Sequence, residues 1–110
     1  MTDFPLPRGD YAVTAFPAFP AGEGVGHWAG SSSAALDDDG SFVIAYRVRT
    51  GERGRGSNVV ARSEDGENYT TVAEIGQERF GAQSLERPAL VRTDEGRWRL
   101  YVCPAAQTLR

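Results

Sequence analysis

Apolar residues fall in short runs separated by acidic-glycine turns, and no window repeats at helical spacing. From residue 31 onward the runs predict strands over 32–36, 42–48, 58–62 and 69–75. Residues 42–48, Phe-Val-Ile-Ala-Tyr-Arg-Val, are rich in the β-branched and aromatic side chains that suit a pleated sheet. Asp39-Gly40 separates the first two runs and Ser63-Glu-Asp-Gly66 the last two. Glycine accepts the positive φ that tight hairpin turns demand, so both read as hairpin connections. A charged, glycine-rich loop over 50–56 joins the middle pair. Residues 1–30 carry Pro5, Pro7, Pro17 and Pro20 with Gly22, Gly24 and Gly26, and 11–16 is the one plausible strand there.

The pattern then starts again. Residues 88–91 followed by Thr93-Asp94-Glu95-Gly96 parallel 33–36 followed by Asp37-Asp-Asp-Gly40, and 98–102 parallels 42–46, at an offset of about 55 residues. Four strands joined by hairpins make an antiparallel meander, the form of a propeller blade. The predicted architecture is all-β: an irregular lead-in (1–30), a four-stranded blade (31–80) and the start of a second (81–110). A closed propeller needs at least about four blades of roughly 40–50 residues. The expectation is therefore a fragment, or a chain completed by remaining blades or by homo-oligomerisation. Two unrelated hairpins in a β-sandwich are the alternative.

Composition narrows the function. With 110 residues and a formal charge of −3, the chain lacks the basic face that nucleic acid demands. All basic residues are arginine, which supplies planar donors for carboxylates, phosphates or sugar hydroxyls. Cys103, the single cysteine, excludes an internal disulfide and sits in an apolar run that predicts a buried thiol. No secretion signal or membrane-spanning run is visible, so a soluble cytoplasmic protein with no membrane partner is expected. One histidine and scattered acids give no metal-ligand spacing, and no cofactor is expected.

Three motifs add a resemblance. They are the strand–acidic-Gly–aromatic strand at Asp39-Gly40-Ser-Phe42 and Glu95-Gly96-Arg-Trp98, the Ser63-Glu-Asp-Gly-Glu-Asn-Tyr69 turn, and Glu86-Arg87-Pro88 leading into an inner strand. From about residue 27 onward the chain resembles the five-bladed propeller glycoside hydrolases of families 43 and 32 and the related mannoside phosphorylases. The Ser63–Tyr69 turn is also similar to the Asp-box of sialidases. The resemblance implies a carbohydrate or sugar-conjugate ligand and an acidic group where Glu86 stands.

Glycosidic cleavage uses two carboxyl groups, one as acid and one as nucleophile or base. Glu86 is the candidate general acid; the alternative is an exposed glutamate paired with Arg87. The first inner strand opens with Gly30-Ser-Ser-Ser33 instead of an acid, so a second catalytic carboxylate is missing from the expected place. Asp37, Asp38 and Asp39 belong to the far hairpin and read as a solvated turn. His27 and Trp28, ahead of the first inner strand, are candidate sugar contacts, with Trp28 in the core as the alternative. Tyr46-Arg47 closes the second strand where the phosphorylases carry a similar Tyr-Arg, making both candidate substrate-binding residues together with Arg87. The alternative to cleavage is a non-catalytic module that binds a glycan or a protein.

Overall fold

The computed structural model describes residues 22–51 and 55–105. Four strands, β1 (Trp28–Leu36), β2 (Phe42–Thr50), β3 (Arg55–Ser63) and β4 (Thr70–Ile75), form one antiparallel sheet in the order β1-β2-β3-β4. A 3₁₀ turn over Gln77–Phe80, not expected from the sequence, leads to β5 (Ser84–Leu85) and β6 (Ala89–Arg92). The chain returns along β7 (Trp98–Tyr101) and β8 (Pro104–Ala105), with β6 pairing β7 and β5 pairing β8. The protein is all-β, built on an antiparallel four-stranded sheet. No helix among the described residues is long and apolar enough to cross a membrane.

The starts of β1 and β3 differ most from expectation, each for a local reason. β1 starts at Trp28 because Trp28 and Ala29 pair with Arg49 and Val48. The serine run that breaks its alternation is a bulge between Gly30 and Ser33, with Ser31 at φ 54°. β3 starts at Arg55 because Thr50 pairs with Arg55, which shortens the expected loop. The strand expected over 11–16 lies outside the described residues.

The second hairpin copies the first in register. Trp28↔Arg49 and Ala29↔Val48 correspond to Ser84↔Ala105 and Leu85↔Pro104. Ser33↔Ala45 and Leu36↔Phe42 correspond to Ala89↔Tyr101 and Arg92↔Trp98, all at the 56-residue offset from Trp28 to Ser84. The break at Arg87-Pro88 between β5 and β6 falls where β1 has its bulge. The turns also match. Asp37 N–H bonds to Ser41 O and Thr93 N–H to Arg97 O, and Gly40 and Gly96 both take φ 83°. A type I turn followed by a left-handed glycine closes both hairpins.

Alternation gives the sheet two distinct faces. Ile44, Tyr46, Val59 and Ala61 bury one, with Ala29, Val48 and Tyr69 against them. Val43 and Ala45 bury the other against Leu90, joined by Val60, Trp98 and Leu100. Leu90, Leu100 and Trp98 are the counterparts of Ala34, Ile44 and Phe42, which alternate with Val43 and Ala45. The hairpin copies therefore stack front to back, one face of the repeat on the opposite face of its predecessor. Leu90 N–H also donates to Ser33 Oγ at 3.0 Å.

Polar contacts clamp the turn end. Arg62 reaches Asp37 (2.8 Å) and Asp39 (3.0 Å), while Arg92 of the second hairpin reaches Asp37 (3.0 Å) and Asp38 (2.7 Å). The expected solvated turn is thus a junction, with Asp37 half-buried between two guanidinium groups. The Arg62 hydrogen bond holds the Asp37 carboxyl below its ordinary value, and the Ser41 backbone N–H does the same for Asp39. In the next turn Asp65 accepts from the backbone of Asn68 and Glu67 and from the Asn68 and Ser63 side chains. Those bonds, the Asn68 N–H first, hold its carboxyl well below the carboxylate range. Cys103, expected to be buried, is exposed, and its carbonyl accepts from the Glu86 N–H.

Two predictions follow from this packing. A Cβ on Gly56 of β3 would lie 2.7 Å from the Leu85 carbonyl and 2.8 Å from Arg47 Nε and Ser84 Oγ. Gly56→Ala should cost about 1–3 kcal/mol in chemical denaturation; wild-type stability would contradict the close approach of β3 to β5. The depressed carboxyls stabilise the fold above their unfolded pKa of about 3.9, and that stability is lost as pH falls toward the folded values. Thermal melts should be flat from neutral pH to about 5 and fall below about 4. Asp65→Asn should begin less stable at neutral pH and fall less steeply in acid; an unchanged acid slope would contradict the assignment.

Candidate functional site

At the end of the sheet remote from the two copied turns, β1, β2, β3 and β5 converge on Arg47. The register places Arg47 on the inner strand β2, opposite both Gly30 and Asn58, and the residue is buried. A buried guanidinium is tolerated only when its charge and donors are matched. Nη1 lies 3.1 Å from Glu86 Oε2, and Nη2 donates to Glu86 Oε1 at 3.1 Å, a two-point fork. Nη2 also donates to Ser84 Oγ at 2.8 Å. The guanidinium carbon sits 5.0 Å from the centroid of the Trp28 ring, within cation–π range.

Glu86 is fixed from its backbone. Its N–H donates to Cys103 O at 2.8 Å, and its carbonyl accepts from Asn58 Nδ2 at 3.0 Å. The side chain stays 43% exposed while that of Arg47 is 10% exposed, so the pair has one buried and one wet end. By register Glu86 is the counterpart of Gly30, the residue opposite Arg47 in the first hairpin. The first hairpin thus supplies the guanidinium and the second the carboxylate.

Three of the sequence-predicted site residues therefore meet: Trp28, Arg47 and Glu86. Tyr46 does not join them. It faces the opposite side of β2 among Ile44, Val59 and Ala61, where burial pushes its phenol pKa up and a Thr71 hydrogen bond partly opposes the shift. Strand alternation forces this, since neighbours on a strand point to opposite faces. Arg87 is exposed and makes no ion pair among the described residues; Glu86 turns to Arg47 instead. His27 is half-buried beside Gly22 and precedes β1, and its Nδ1 has no hydrogen-bond partner.

Sequence reasoning missed Asn58 and Ser84. Asn58 is fully buried and pairs directly with Arg47, a partnership set by the β2–β3 register that the local sequence does not show. Ser84 lies in an irregular stretch that likewise carries no sign. Arg47 Nε, Arg49 Nε and Asn58 Oδ1 have no hydrogen-bond partner, so the cluster has donors and an acceptor beyond those the chain satisfies. Arg49 faces Trp28 across the β1–β2 ladder and extends the basic character of this end.

Chemically, the cluster offers an aromatic face, a forked cation and a half-exposed carboxylate. Among the described residues, no other carboxylate hydrogen-bonds or ion-pairs with Trp28, Arg47, Ser84, Asn58 or Glu86. Nor does any group of three or more His, Cys, Asp or Glu side chains among them gather as a metal ion would require. No family model matches this chain, and neither curated proteins nor solved structures match it.

Proposed function

We propose that this chain forms one blade and the start of the next in a β-propeller of the glycoside-hydrolase-like kind, and that its Trp28–Arg47–Glu86 end faces a carbohydrate. The observation that carries the reading is the hairpin copied in register and stacked front to back. Such head-to-tail stacking leaves each unit with a face for the next, and it ends only when a ring closes or a cap intervenes. The outer face of the second hairpin fits this reading, because Val91 and Tyr101 lie exposed on it. Completion by further blades, or by further copies of the chain, is part of the proposal.

Support for a sugar comes from the chemistry gathered at the Arg47 end. A ring face stacks on the apolar side of a pyranose, while a guanidinium and a carboxylate suit vicinal hydroxyls as donor and acceptor. Within this chain the arrangement favours holding a sugar over cleaving it. Both Glu86 oxygens are engaged by Arg47, and the second carboxyl that cleavage needs is not among the partners of the cluster. Glycosidic cleavage with Glu86 as acid is the second reading, favoured by the position of Glu86 at the opening of an inner strand.

The test is a titration of the labelled protein with a panel of neutral oligosaccharides, following the Trp28 indole and Arg47 guanidinium signals. Saturable shifts at both groups are expected, with Trp28→Ala weakening binding about three- to tenfold. Shifts confined to other parts of the chain, or none at all, would contradict the proposal. Product release that Glu86→Gln abolishes while binding persists would favour the cleavage reading.

A further inference from the structure

Arg49 is the second cation of the Trp28 end, and its charge is not matched there. It pairs with Trp28 on one side and Gly56 on the other, neither of which carries charge. The residue is half-buried, and its Nε is shut off from solvent without a hydrogen-bond partner. Among the described residues it makes no ion pair. Glu86 gives both its oxygens to Arg47. A partly desolvated cation without a counter-charge is costly, and an arriving anion removes that cost.

Arg49 also stands apart from the repeated scaffold. The copied register sets Ser84↔Ala105 against Trp28↔Arg49, so the second unit carries neither the ring nor the guanidinium at these positions. The pair is therefore no requirement of the repeat. Alternation puts Val43, Ala45, Arg47 and Arg49 on one face of β2. The second hairpin already covers that face. Leu90 packs on Val43 and Ala45, Ser84 and Glu86 meet Arg47, and the Leu85 carbonyl lies against Gly56. A further unit in the stack would lie beyond the second hairpin, so stacking does not supply the missing charge.

The size of the unmatched charge indicates the class of anion. Arg47 and Glu86 cancel, which leaves the single positive charge of Arg49, while Arg87 is exposed and screened by water. One planar fork suits a carboxylate, whereas a phosphate dianion would leave an excess of negative charge. We infer that Arg49 is a specificity-determining residue that receives the carboxylate of a uronic-acid-type sugar held at Trp28. This rests on the carbohydrate reading of the Trp28–Arg47–Glu86 end and narrows it to acidic sugars.

The probes are di- and trisaccharides of galacturonate, glucuronate and mannuronate, each with its methyl ester, which keeps the ring and loses the charge. They are titrated into the full chain at low salt while the Arg49 Nε–H and Trp28 indole signals are followed. The best-bound acid should bind about five- to tenfold more tightly than its ester. That gap should narrow as salt rises. In Arg49→Gln the acid and the ester should bind with equal affinity. Equal binding of acid and ester to wild type, with saturable shifts at Trp28, would overturn this inference and leave the carbohydrate reading standing. An acid preference that survives Arg49→Gln would also overturn it. Shifts at Arg49 produced as strongly by acetate or inorganic phosphate alone would mark a simple anion site. That result, or no binding of either sugar form, would contradict the carbohydrate reading and this inference with it.

Discussion

Arg47 is a cation sunk on an inner strand of the sheet, and the Trp28 end of the molecule is arranged around the need to match it. A buried guanidinium left unpaired costs several kcal/mol, so its partners are structural requirements before they are anything else. Ser84 and Glu86 supply oxygens, Trp28 supplies a π face, and Gly56 gives the room for β5 to come close. Asn58 then ties the Glu86 backbone to β3. Because the cation belongs to the first hairpin and the carboxylate to the second, matching the charge also fixes how the two units sit together.

A second clamp works at the opposite end. Arg92 reaches back from the second hairpin to Asp37 and Asp38, while Arg62 holds Asp37 and Asp39 from within the first sheet. Between the clamps lies the apolar contact of Val43 and Ala45 with Leu90. Apolar burial supplies a non-directional attraction, and the two arginine clusters supply the register that burial alone does not specify. Front-to-back stacking is the geometric result, and the propeller proposal grows from it.

Much of the fold was legible in the sequence because the turns are explicit. Asp39-Gly40 and Glu95-Gly96 mark matching left-handed glycines, and the aromatic-rich run after each marks a strand. The bulge in β1 was not legible, since Gly30-Ser-Ser-Ser33 reads as an interruption when its alternation is only shifted. Of the site, Trp28, Arg47 and Glu86 were legible as residue types at strand ends, whereas Tyr46 was misplaced by treating adjacent residues as one cluster. Asn58, Ser84 and the exposed Cys103 depend on which strand lies opposite which, a tertiary fact that local pattern does not carry. The Asp37–Asp39 turn was read as solvated because its arginine partners lie far along the chain.

The proposed carbohydrate surface and the front-to-back stacking behind it presuppose that Arg47 and Glu86 join the two units energetically as well as geometrically. A double-mutant cycle tests this most directly, comparing the unfolding free energies of wild type, Arg47→Met, Glu86→Gln and the double variant. The account predicts that the two substitutions couple by about 1 kcal/mol or more, the double variant losing less than the sum of the single ones. Strict additivity would mean that the two side chains do not meet in solution, and it would contradict the packing on which the proposed function depends.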